Sequence, residues 1–569
     1  MSELPLRRAL VEWLRSAGVE YLFGNPGSSE VPLLDALVGV ERPRYVLVAH
    51  EAVAIAMADG YAQLSGRPGV VSVHVTPGLT NVLGGLFLAR AHRSPVVVLV
   101  GQQDSRLLAR RPFLASDLVE TARQHTKWAW QVSRADELLP ALRRAFELAV
   151  QPPAGPVVLA IPKDLPDHLV DAALPPAPAP APELGVPPGA ALEAAAAIVA
   201  SARAPLLLSG NGVGARGAPA IAAVVALAET IGARVHSEHN ATNMHFPGGH
   251  PQYLGGNAHG TREMRPLLAS ADVLIAVGCD LFMEDRYDPE PLIPPGCRIV
   301  QIDEDPSEIG RLYPVAAGLA GDLAATVDAL AARVREAAGP GGARDAARRR
   351  AEVASVRAGI DARRAHLRAE TWARRPIRMP RVYAELRAAM PDDAVMVDEA
   401  INMASYLHDS FELRLPGTLL SSKQGWLGWG WGAALGAQLA RPERRVVACL
   451  GDGSATYALQ ALWTANRYGL PVVSVILNNG GYVAVQNHLR NYGGSALARR
   501  EYVGTDLGGI DFVGLAQAFG VAAERVEDPD GLRPAFDRAL AAGAPRLVEV
   551  VLDRDDAGSG RAPIPRAGR

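Results

Sequence analysis

Val446-Val-Ala-Cys-Leu-Gly451-Asp452-Gly453-Ser454-Ala455, followed by Thr456 to Tyr468, Pro471-Val-Val-Ser-Val-Ile-Leu477 and Asn478-Asn479-Gly480-Gly481, is the most informative stretch of this chain. It reads as strand, glycine-rich turn, amphipathic helix, strand and second turn. Asn479 follows Asp452 by 27 positions, the length of one βαβ unit. A right-handed crossover places both residues at carboxyl ends of parallel strands, where open α/β sheets bind ligands. One carboxylate, one amide oxygen and a main-chain carbonyl make a hard-oxygen set suited to Mg²⁺ with phosphate oxygens beside it. Gly451, Gly453 and Ser454 allow main-chain N–H groups and a helix N-terminus to face those phosphates. An ordinary βα turn could supply Gly-Asp-Gly by chance; the Asn-Asn pair one βαβ unit later argues against chance.

Outward from this stretch, the same texture recurs. Val70 to His74, Pro95 to Val100, Pro205 to Leu208 and Val273 to Val277 are short, continuously apolar runs separated by helical segments. Such runs predict strands buried on both faces of a parallel sheet. At roughly 150 residues per domain, 569 residues predict three or four domains. The five prolines between Pro175 and Pro182 form an extended linker. A softer boundary is Gly339-Pro-Gly-Gly342, after which the Arg/Ala-rich residues 343–373 read as a solvated helix. Three blocks result, 1–172, 189–338 and 376–555, and the expected fold class is α/β, three doubly wound parallel-sheet domains. The first and third blocks share a layout in which strands end in polar or Gly-rich turns.

Composition narrows the function classes. The 57 Lys+Arg against 60 Asp+Glu leave a net charge of −3, without the basic excess of a nucleic-acid or anionic-membrane binder. Three cysteines, Cys279, Cys297 and Cys449, are too few and too scattered for a disulfide framework. The opening residues show no signal-peptide apolar region, and no run reaches the roughly 18 apolar residues of a membrane span. A cytoplasmic enzyme of small molecules, with no nucleic-acid or membrane partner, is the expectation.

The Gly451-Asp-Gly-Ser…Asn478-Asn479 pattern resembles the thiamine-diphosphate motif of the 2-oxo acid decarboxylase and acetolactate synthase superfamily. The three blocks resemble that family's pyrimidine-binding, central Rossmann-like and diphosphate-binding domains. The resemblance implies thiamine diphosphate and Mg²⁺ as cofactors, with Asp452, Asn479 and the Gly481 carbonyl on the metal. Gly451, Gly453, Ser454 and Tyr482 would line the cofactor, and Leu427 of Gly425-Trp-Leu-Gly would wedge it into a bent shape. Glu51, in Ala49-His-Glu-Ala-Val-Ala, would hydrogen-bond the pyrimidine ring. Taken alone, an acid in a first helical turn is also favoured by the helix dipole. Ala52, Ala54, Ala56 and Ala58 predict a tightly packed helix that sequesters the Glu51 carboxyl. Phe23-Gly-Asn-Pro-Gly-Ser28, Glu51 to Ala62 and Gln102-Gln103 look most like benzoylformate decarboxylases. On that resemblance Ser28 binds the substrate carboxylate and His74 shuttles protons, and two or four identical chains assemble so that Glu51 and Asp452 of one site come from different chains.

The resemblance implies decarboxylation of a bulky 2-oxo acid to an aldehyde. Carboligation of an aldehyde acceptor, as in an acetolactate-synthase-like enzyme, is the alternative. One departure bears on that choice. Where these decarboxylases carry a second active-site histidine, Leu281 to Pro289 places Asp285. An ionised Asp285 would protonate an intermediate poorly and favour carboligation. Ile401 stands where the family has a hydroxyl. A different class is suggested by Gly212-Val-Gly-Ala-Arg-Gly217 after a strand, with Glu238 beyond it. This is the fingerprint of an FAD- or NAD-dependent oxidoreductase, weak when it occurs alone.

Overall fold

The computed structural model describes residues 3–556 and 558, except 257–260, 283–286, 404–405 and 408–409; side chains of 261–263 are also left aside. Three parallel sheets carry the fold. The first runs, edge to edge, Arg44–Leu47, Tyr21–Asn25, Gly69–Val73, Val96–Gln102, Val157–Pro162, Trp128–Gln131. The third runs Leu419–Ser421, Val395–Glu399, Val446–Gly451, Val473–Asn478, Arg546–Val551, Ala522–Val526. Numbered by appearance within its own block, each sheet has the order 2-1-3-4-6-5. The shared layout expected from the sequence is therefore a shared topology. The central sheet, Arg234–Ser237, Pro205–Ser209, Val273–Val277, Arg298–Asp303, Ala317–Ala320, has the order 2-1-3-4-5. Every residue of Gly69–Val73, Val96–Gln102 and Val157–Pro162 is buried, because helices cover both faces.

Strand order reverses between the first and third strands of each sheet, and these crevices are where doubly wound folds place ligands. In the third sheet the crevice lies beyond Glu399 and Gly451, which end adjacent strands. In the first sheet it lies beyond Asn25 and Val73.

The outer two domains meet through the helices Glu51–Ser65 and Trp429–Ala440. Their small residues bring backbone against backbone. A Cβ on Gly436 would lie 2.0 Å from the Met57 carbonyl oxygen, and one on Gly60 would lie 2.3 Å from that of Ala433. Residues 173–188 carry no regular structure, as the prolines predict. The Arg/Ala segment departs from expectation in part. It continues the helix Leu323–Thr371 across a break at Gly339, and although most of its residues are exposed, as expected, one narrow face is docked. Ala346 and Val353 are buried, and Arg349 donates to the carbonyls of Ile231 and Ala202. Among the described residues no helix is long and apolar enough to cross a membrane.

Candidate active site

The glycine turns of the third sheet come together as their spacing predicts. Gly451 pairs with Leu477, so the turns that follow the two strands lie side by side. Asp452 is 4% exposed. Its oxygens accept from the main-chain N–H groups of Gly453 (2.9 Å) and Gly481 (3.0 Å). Asn479, also buried, turns its Oδ1 to the same Gly481 N–H at 3.3 Å. Asn478 points the other way, donating to Glu549 at 2.7 Å. Among the described residues Asp452 pairs with no Lys, Arg or His. Burial, unrelieved by a counter-charge, pushes its carboxyl up to about 6.

A desolvated carboxyl beside an amide oxygen, with no protein cation to neutralise it, fits a divalent metal. No group of three His, Cys, Asp or Glu side chains that could hold an ion occurs among the described residues. A metal here would therefore draw on amide and main-chain oxygens as well. Ser454 donates its hydroxyl to the Glu399 carbonyl at 2.9 Å, and the Tyr482 ring packs where a Cβ on Gly453 would stand.

Glu399 was not singled out by the sequence, yet it joins two parts of this site. Its carboxylate oxygens accept from Trp429 N and Gly430 N, each at 3.1 Å, capping the helix that follows Leu427. Its main chain holds Ser454 in the neighbouring turn. Burial pushes Glu399 up to about 8, and Asp398 beside it up to about 7. Leu427 is half-buried between Gly425 (φ +68°) and Gly428 (φ +92°). A Cβ on Gly428 would press on Tyr457, 2.8 Å away, so only glycine lets this turn sit against Tyr457 and Ala458.

In the first domain, His74 ends a buried strand, and its ring fills the space a Cβ on Gly27 would need, at 2.3 Å. Its Nδ1 lies 2.6 Å from Ser29 Oγ and 3.2 Å from Glu30 Oε2. Burial raises the Glu30 carboxyl, against the pull of hydrogen bonds from Ser29 and Gly27 and the charge of His74. The hydroxyl on His74 is thus Ser29, whereas Ser28 is exposed. Val75, next along, has φ +36°, a strained value for a β-branched residue.

Glu51 opens its helix and accepts from Asn81 Nδ2 at 2.9 Å. Ala54, Ala56 and Ala58 are fully buried, but Glu51 itself is only half-buried. The expected sequestration fails within one chain, because the first turn projects past the sheet's carboxyl edge. Among the described residues no hydrogen bond or ion pair joins Glu51 or His74 to Asp452. Asp285 lies outside the described residues.

Two of the three glycines in the central fingerprint are closed against their own domain: a Cβ on Gly212 would stand 3.0 Å from the Gly278 carbonyl oxygen and one on Gly214 would stand 1.9 Å from Asn243 Oδ1, whereas Gly217 opens onto free space. Glu238, placed by spacing to meet a ribose, is buried. It accepts instead from the N–H groups of Asn211 and Asp280.

Residues 5–124, 192–330 and 402–550 match the N-terminal TPP-binding, central and C-terminal TPP-binding domains of the thiamine pyrophosphate enzymes. The chain is 34% identical over 551 residues to benzoylformate decarboxylase of Pseudomonas aeruginosa, covering 95% of this chain and 98% of that protein. It is 30% identical to the acetolactate synthase isozyme 2 large subunit of Escherichia coli, covering 96% and 95%. Among solved structures, the thiamine diphosphate-dependent 4-hydroxybenzoylformate decarboxylase of Rhodococcus jostii RHA1 superimposes with a TM-score of 0.82 at 29% identity, covering 97% of this chain and all of that one.

Proposed function

Since the chain belongs to the thiamine pyrophosphate enzyme family, we propose that it decarboxylates a bulky 2-oxo acid, with Mg²⁺ and the diphosphate at Asp452. The carrying observation is the buried Asp452 carboxyl, set between two glycine turns with no protein cation on it among the described residues. Asp452, Asn479 Oδ1 and the Gly481 carbonyl would hold the metal. The amides of Gly451 to Ser454 would face the diphosphate, Tyr482 would close that end, and Leu427 would support the middle of the cofactor. Bound there, thiamine diphosphate supplies a carbon nucleophile and accepts the electron pair released when CO₂ leaves.

The protein's own groups would manage protons. Glu51 holds a proton against the pyrimidine ring. With Ser29 and Glu30 on Nδ1, His74 keeps Nε2 for the substrate oxygen. Ser28, exposed on the same turn, is placed to meet the carboxylate. Glu51 projects beyond its own sheet, which supports a site completed by a second copy of the chain, in a homodimer or a dimer of dimers. The 34% relative named for benzoylformate supports an aromatic donor, and the acetolactate synthase relative keeps an aldehyde acceptor open as a second substrate.

The test is direct. Wild-type protein should bind thiamine diphosphate only with a divalent metal, and Asp452→Ala should not bind it. A panel of aromatic and aliphatic 2-oxo acids, with and without acceptor aldehyde, should then yield CO₂ with aldehyde or acyloin. Tight binding by Asp452→Ala would remove the metal assignment. Equal mixing of Glu51→Gln and Asp452→Ala chains should restore about a quarter of the sites if each site spans two chains; no restoration would place it within one.

A further inference from the structure

The segment that carries Leu427 passes between the other two domains before it enters its helix, and both of its ends close on one imidazole. At the first end, the Lys423 main-chain N–H donates to His92 Nε2 at 3.2 Å. At the second, the Trp429 indole N–H donates to Asp59 Oδ2 at 2.7 Å. That same oxygen meets His92 Nδ1 at 2.8 Å. One nitrogen must accept from an amide and the other must donate to a carboxylate, so the ring is neutral with its proton on Nδ1. The Gln63 side-chain Nε2 lies 3.1 Å from Nδ1, and with the ring proton on Nδ1 it makes no hydrogen bond to that nitrogen. The ring also lies against the Trp429 indole, centroids 5.3 Å apart.

The His92 and Asp59 side chains are each 1% exposed, so water cannot replace either bond. The rest of Lys423 is held by the central domain: Nζ pairs with Asp280 at 2.6 Å, and its carbonyl accepts from Asn240 at 3.3 Å. Between the two ends the backbone passes twice through left-handed glycine conformations, at Gly425 and Gly428. Gln424 and Gly425 are exposed. Such a stretch has little stiffness of its own.

We propose that His92, together with Asp59, is a positioning residue: a clasp on Lys423–Trp429 that sets where Leu427 stands in the cofactor site. Its catalytic consequence rests on the role given to Leu427 above; the clasp itself belongs to the cofactor-free chain. Asn at position 92 retains a donor for Asp59 but cannot reach Lys423, whereas Gln extends an amide oxygen toward the place of Nε2.

The experiment has two arms. In the cofactor-free protein, hydrogen–deuterium exchange of peptides spanning 421–430 should quicken by about tenfold in His92→Asn, with other helices unchanged. In the loaded protein, kcat should fall by about tenfold or more while KM and thiamine diphosphate affinity stay within about threefold, and His92→Gln should recover much of the loss. Should His92→Asn fail to fold, Trp429→Phe, which removes the indole N–H and shortens the ring while keeping an aromatic face, carries the same test. Unchanged exchange in both variants would overturn the clasp. Faster exchange with wild-type kcat would overturn its bearing on Leu427. A wild-type protein that binds no thiamine diphosphate would defeat the proposed function, while the exchange arm would still decide the clasp.

Discussion

Replacing Asp452 by Asn should have opposite effects on the cofactor-free and cofactor-bound protein, and pH separates them. In the fold the Asp452 carboxyl ionises near 6, against 3.8 for an ordinary aspartate. Because the folded value is raised, the sign is the reverse of the usual carboxylate. Below 3.8 the group is neutral in both states and costs nothing. As pH rises from 3.8 toward the folded value the penalty grows, and it is fully present above about 7. At about 1.4 kcal/mol per pH unit, the interval between 3.8 and 6 corresponds to about 3 kcal/mol. Asn resembles the protonated acid in size, and whatever its amide costs against Gly453 N–H or Gly481 N–H is the same at every pH. The difference between variant and wild type should therefore move by about 3 kcal/mol in favour of Asn between pH 4 and pH 8. For a domain of this size that is about 6–12 °C in unfolding temperature. Differential scanning fluorimetry of chelator-treated protein across that range is the assay, with thiamine diphosphate binding at pH 8 as its counterpart, lost in the variant. A melting difference that is flat with pH, or that favours Asp at pH 8, would refute the claim that this carboxyl lies buried without a counter-charge.

Glu51→Gln should keep metal-dependent cofactor binding and lose about 100-fold or more in kcat, read by titration and by CO₂ release; an active Gln variant would exclude Glu51 from proton handling. Gly27→Ala should push the His74 ring from its seat, since the new methyl would stand 2.3 Å from it. Substrate turnover should drop with cofactor affinity unchanged. Gly436→Ala should destabilise the protein by about 1–3 kcal/mol through overpacking against Met57, seen as a lower unfolding temperature.

The glycine turns at Asp452 and Asn479 were legible because everything they need is local: a strand, a fixed spacing and glycines. The same holds for the three parallel sheets, whose continuous apolar runs announce strands buried on both faces. What stayed hidden depends on distant chain. Glu399 is one acid in a strand end, and its role appears only when the helix at Trp429 is laid on it. Ser28 and Ser29 differ by one position in a turn, and the ring of His74 against Gly27 decides which hydroxyl it meets. The docked face of the Arg/Ala helix rests on two buried residues, Ala346 and Val353, in a run of arginines. The contact between Lys423 and His92 joins positions 331 apart, beyond the reach of any spacing rule.

The glycine-lined joint between the outer domains has a mechanical consequence. Interlocking side chains can hop from one set of notches to the next, and domains that slide during a reaction cycle use such ratchets. Here Gly436 and Gly60 leave main-chain oxygens facing main-chain atoms, and the buried Trp429–Asp59 hydrogen bond crosses the same joint. Sliding one helix past the other would drive main chain into main chain, so the joint opposes a ratchet. Any opening that admits a substrate would then fall to the short segments at the strand ends.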